Sequence, residues 1–83
     1  MDRSEAFANL KACAVEVLHV DEGVVTEEAR FKEDLDADSL ALIEFVMALE
    51  EQFDITVPEE ELDGVTTVRQ ALDLVMTKLA ARA

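Results

Sequence analysis

Residues 39–53 read Ser39-Leu40-Ala41-Leu42-Ile43-Glu44-Phe45-Val46-Met47-Ala48-Leu49-Glu50-Glu51-Gln52-Phe53, and the placing of the apolar residues in this stretch decides the fold. At roughly 100° per residue, with Leu40 at zero, Leu42, Phe45, Val46, Leu49 and Phe53 gather between about 140° and 240°. That is a core-facing helical stripe. Leu40, Ile43 and Met47 fall apart from it, between about 300° and 360°, with Glu44, Glu50 and Glu51 beside them. Packing does not require a second apolar stripe edged with carboxylates. It reads as a docking surface, with apolar anchors for contact and acids for steering and register. Burial of the helix on all sides is the competing reading, and the three glutamates count against it because unpaired buried carboxylates are costly.

The pattern extends outward in both directions. Upstream, Phe7, Leu10, Ala14 and Val17 keep one face of an amphipathic helix from Ser4 to about Val20, with Asp2 or Ser4 to cap it. Between the two helices, residues 21–38 form a long connection whose apolar members, Val24, Val25, Phe31 and Leu35, are expected to pin it across the bundle. Downstream, Pro58 suits the first turn of a short helix, Glu59, Glu60 and Glu61 sit where its positive end lies, and Gly64 ends it. A last helix starts at Thr67, where Thr67 and Gln70 have capping-box spacing, and buries Val68, Leu72, Val75 and Leu79. The expected fold is an all-α, small four-helix bundle: three main helices, one short helix, and a long loop between the first and second. Residues 1–83 are expected to form a single, stand-alone domain.

Composition agrees with that class and excludes several functions. With 2 Gly, 1 Pro and 51% hydrophobic residues, the chain has few helix breakers and too much apolar content for a disordered acidic tail. The net charge is −13, and residues 31–63 alone hold 12 acids against 1 base. Such a surface repels nucleic acid and attracts basic protein patches. No apolar run approaches the roughly 20 residues of a membrane span, and the start lacks a basic leader, so a cytoplasmic location is expected. Cys13, the one cysteine, reads as a small buried hydrophobe, and His19 as a surface residue at the end of the first helix. Neither makes a nucleophile–base pair with a serine, so no enzyme is expected.

Residues 34–40, Asp-Leu-Asp-Ala-Asp-Ser-Leu, place Ser39 where the long loop becomes a helix. A serine there is commonly just a cap. Asp38 can fill that role, which leaves the Ser39 hydroxyl exposed at a positive helix end, a favourable place for a phosphodiester. Asp38 could also help hold Mg²⁺ during a transfer step. Calcium binding is the rival: Asp34, Asp36 and Asp38 match the first three ligand positions of an EF-hand loop. Position six is then Ser39 where glycine is required, and position twelve is Phe45 with Glu44 one residue early, so the match fails.

These residues resemble the acyl carrier protein family. The likeness runs through Asp34–Leu40 and Phe45-Val46-Met47-Ala48-Leu49-Glu50-Glu51-Gln52-Phe53-Asp54, and continues in Val57-Pro58-Glu59-Glu60-Glu61 and Val65-Thr66-Thr67-Val68. It covers roughly residues 28–80. The resemblance implies 4′-phosphopantetheine on Ser39, installed from coenzyme A by a phosphopantetheinyl transferase, with Asp38 beside it. It further implies that acyl groups ride as thioesters on the arm. Partner enzymes with basic patches would be a ketosynthase, an acyltransferase, a reductase and a dehydratase. They would read Leu40, Ile43, Glu44, Met47, Glu50 and Glu51 on a monomeric carrier, and Phe31, Val46 and Val65 would line an acyl pocket. Fatty-acid biosynthesis is the expected pathway, ahead of a polyketide or other thioester-bound one. Two departures stand out: Ala41 where relatives often carry an acid, and Asp36 in place of the common glycine.

Overall fold

Capping chemistry sets where most helices of this chain begin. The computed structural model describes residues 2–82, and its elements are α1 (Arg3–Leu18), a 3₁₀ turn (Glu22–Val24), α2 (Ser39–Phe53), α3 (Glu59–Leu62) and α4 (Val68–Arg82). Asp2 accepts a hydrogen bond from the Glu5 amide (2.8 Å) and Asp38 one from the Ala41 amide (2.9 Å). Thr67 and Gln70 exchange two bonds at the start of α4: the Thr67 amide donates to Gln70 Oε1 (3.0 Å), and the Gln70 amide donates to Thr67 Oγ1 (3.3 Å). Each cap satisfies amides with no partner inside their own helix and is worth about 1 kcal/mol.

The endings differ more from expectation. α1 stops at Leu18, two residues early, because His19 turns left-handed (φ 57°). That turn lets Val20 pack back against the core. Pro58 is the residue before α3 and not inside its first turn, with its carbonyl accepting from the Glu61 amide (3.0 Å). α3 ends at Leu62, and Gly64 supplies no left-handed stop, since no glycine has positive φ.

The long helices share one core. α1 packs against α2 and α4, and α2 against α4. α1 contributes Ala6, Leu10, Cys13 and Ala14; α2 contributes Phe45, Val46, Leu49 and Phe53; α4 contributes Val68, Ala71, Leu72 and Val75. Phe7, Val17, Leu42 and Leu79, expected on buried faces, are only partly buried at its edge. The short α3 joins through Leu62, and Lys78 of α4 lies 2.9 Å from both carboxylate oxygens of Glu61 and donates to Oε1.

The long loop is held from both sides. Val25, Phe31 and Leu35 are buried, and Phe31 meets Phe45 with ring centroids 5.5 Å apart, worth about 0.5–1.5 kcal/mol beyond area burial. Val24 is the exception at 45% exposed, because the 3₁₀ turn directs it outward. Backbone pairing supplies the rest. The Phe31 amide donates to Thr66 O (3.0 Å), Val68 to Ala29 O (2.9 Å) and Arg69 to Glu27 O (2.9 Å), forming an isolated antiparallel bridge between Arg30 and Thr67. The bridge fixes the loop against the α3–α4 connection and so sets the approach to Ser39.

Candidate functional site

Ser39 is the first residue of α2, and it is exposed. Asp38 Oδ1 already serves the Ala41 amide, and the Asp38 carbonyl accepts from Leu42 (2.9 Å), so the helix start is complete without the serine side chain. The Ser39 and Leu40 amides precede any i→i−4 partner within the helix. An exposed hydroxyl therefore stands beside amides able to receive an anion.

Beside Ser39 lies a cleft of about 320 Å³ between α2 and the α3–α4 connection, lined also by Leu42, Ile43, Leu62 and Val65, with Lys32, Glu59, Asp63 and Thr66. A second cleft of about 240 Å³ shares Ile43, Glu59 and Leu62 and continues along α2 past Val46, Met47 and Glu50 to Val57. The residues read as an acyl pocket thus separate. Val65 lines the cleft next to the serine, Val46 lines the second, and Phe31 lines neither and is 1% exposed against Phe45.

The outward stripe of α2 is open. Leu40 is 65% exposed, Met47 60% and Ile43 38%, and Glu44 and Glu51 are exposed beside them. Glu50 differs. It is half-buried, and its Oε2 accepts from the Val57 amide (2.9 Å), which ties α2 to the segment leading into α3. Neither this tie nor the cleft-lining Leu62 and Lys32 is legible from helical periodicity, since each depends on how the chain returns after Phe53 or on the course of the long loop.

Ion pairs lie mainly on other elements. Glu27 receives Arg3 (2.8 Å) and Arg69 (3.5 Å), and Arg3 also holds Asp73 (2.7 Å). The hydrogen bond from Arg3, followed by that from Arg69, holds the Glu27 carboxyl below the usual carboxylate range. Burial pushes the Cys13 thiol up, with nearby Glu16 adding to the effect, so Cys13 is a poor nucleophile. His19 is exposed at the end of α1. The three loop aspartates do not converge. Asp34 accepts from the Arg30 amide (2.8 Å), Asp38 caps α2, and Asp36 bends the backbone at φ 53°. Among the described residues, no three acidic, histidine or cysteine side chains are grouped to hold a metal, and no helix is long and apolar enough to cross a membrane.

Residues 8–75 match the family of phosphopantetheine attachment sites. The chain is 47% identical to the acyl carrier protein of Rubrobacter xylanophilus, over 92% of this chain and 94% of that one. It is 44% identical to the acyl carrier protein of Thermosynechococcus vestitus, over 98% of this chain and all of the other. The crystal structure of an acyl carrier protein from Thermotoga maritima superposes with a TM-score of 0.87 at 32% identity, covering 100% of this chain and 96% of its own.

Proposed function

The chain belongs to the acyl carrier proteins, a phosphopantetheine-binding family of carriers and not enzymes, and on that premise we propose that Ser39 bears the arm and that the cargo is fatty acyl. The observation carrying this reading is the division of labour at the start of α2, where Asp38 caps the helix and Ser39 is left exposed beside a cleft. The residues fit the group: an exposed hydroxyl for the phosphodiester link, flanking amides for its charge, and apolar walls at Leu42, Ile43, Leu62 and Val65. When bound, the arm supplies a terminal thiol that holds the acyl group as a thioester. Asp38 fixes the first turn through Oδ1, and its carboxylate would help hold the Mg²⁺ that accompanies the transferase. Leu40, Ile43 and Met47 give partners apolar contact, and Glu44 and Glu51 give them charge.

Candidate partners are a phosphopantetheinyl transferase and the ketosynthase, acyltransferase, reductase and dehydratase of fatty-acid synthesis, each docking a basic patch on a monomeric carrier. Residues 1–83 act as one domain, and a cytoplasmic location suits a chain whose one cysteine is a free thiol. The likeness of residues 46–51 to the family's signature favours fatty-acid over polyketide synthesis. Reconstitution tests the choice. The loaded protein is expected to support chain elongation with purified type II fatty-acid enzymes, and elongation only with polyketide enzymes would reassign the pathway.

A further inference from the structure

Within the acidic stretch 31–63 the one base is Lys32, and it lines the same cleft as Ser39. The other charged residues lining that cleft are Glu59 and Asp63. Lys32 is exposed and makes no ion pair or hydrogen bond among the described residues. Other cations are engaged elsewhere: Arg30 with Glu33 (3.8 Å) and Asp34 (3.7 Å), and Lys78 with Glu61 (2.9 Å). A phosphodiester on Ser39 adds a negative charge next to Asp38 and above Glu59 and Asp63, on a molecule of net charge −13. The amides at the α2 start offset part of that repulsion. Among the described residues, Lys32 is the one cationic side chain lining the space.

We propose that Lys32 is a positioning residue that pairs with the phosphodiester of the arm and holds the arm's base over the mouth of the cleft. This rests on the assignment of the arm to Ser39. An ammonium on a flexible four-carbon stem offers three donors and can follow a phosphodiester that swings with the arm, where a rigid guanidinium fork would fix one geometry. The contact is at the surface, so salt weakens it. Its consequence is directional: with its base paired to Lys32, the arm points along the apolar walls and not out to solvent.

The test compares lysine reactivity in the unmodified and arm-bearing forms, each verified by intact mass, with the arm's thiol alkylated beforehand. Both are labelled with a trace of acetic anhydride, and peptide masses give the rate at Lys32 relative to Lys11, which lies 4.9 Å from the Phe7 ring on α1. Lys32 is expected to label about threefold more slowly or less in the arm-bearing form at low salt, and to recover in high salt. A second variant, Lys32→Gln, is expected to fold and accept the arm while the salt dependence of its phosphorus NMR resonance becomes clearly smaller than the parent's. Equal labelling of Lys32 in both forms, or an unchanged phosphorus response in Lys32→Gln, would overturn the pairing while leaving the carrier assignment in place. Absence of the arm from Ser39 would be seen in the mass spectrum first and would overturn both.

Discussion

Asp36 holds its backbone at φ 53°, a left-handed conformation that glycine enters freely and other residues enter at a cost of about 1–2 kcal/mol. The chain turns there so that the Ala37 amide can donate to Phe31 O (2.7 Å) and Asp38 can reach its capping position. The geometry is one that glycine adopts freely, and aspartate is among the few other residues that tolerate it. Asp36→Gly is therefore expected to leave stability unchanged or raise it by up to about 1 kcal/mol, and Asp36→Val to lower it by about 1–2 kcal/mol, both read by denaturant melts. Equal stability of the two variants would mean that the turn relaxes and is not required. His19 and Asp54 take the same region at the ends of α1 and α2, so polar residues do at three turns what glycine does elsewhere.

At the scale of elements, α2 separates two carboxylates that look alike in sequence. Glu51 is exposed, whereas Glu50 accepts from the Val57 amide and braces the segment before α3. Glu50→Ala is expected to lose about 1–2 kcal/mol by leaving that amide unpaired. Met47→Ala and Glu51→Ala are expected to shift stability by less than about 0.5 kcal/mol while weakening binding to a partner with a basic patch. Thermal melts beside binding titrations separate the cases, and a large stability loss in Met47→Ala would show that the outer stripe is core. The same contrast marks how far the sequence could be read. The bounds of α2, the cap at Asp38 and the Thr67–Gln70 exchange follow from chemistry within four residues, and they are legible. The path of the long loop rests on pairing of residues 27–31 with 66–69, for which no local pattern exists. Lys32 reaches the cleft beside Ser39 only through that path, and Glu50 finds Val57 only after the chain reverses at Asp54.

Over the whole molecule, charge opposes compactness. A net charge of −13 on 83 residues repels itself, and the arginines at the α1 and α4 starts offset part of it through Glu27, Glu28 and Asp73. The melting temperature is expected to rise with added salt from low ionic strength, and a flat series would contradict the repulsion argument. Glu27 carries an opposing pH dependence. Its folded carboxyl titrates below its unfolded value, so its contribution is present above the ordinary carboxylate range and is lost as pH falls through the lowered one. Glu27→Gln is accordingly expected to be less stable than the parent near neutrality, with the gap closing as the parent is acidified; a gap constant with pH would assign Glu27 a purely steric role. The same acidic field favours basic protein patches, and along α2 Leu40, Ile43 and Met47 lie exposed to meet one. The carrier role depends on Ser39. Incubation with coenzyme A, Mg²⁺ and a broad-specificity phosphopantetheinyl transferase, followed by intact mass and fragmentation, is predicted to show one phosphopantetheine on Ser39 and none on Ser39→Ala. A folded protein that gains no mass, or gains it at another residue, would contradict the account.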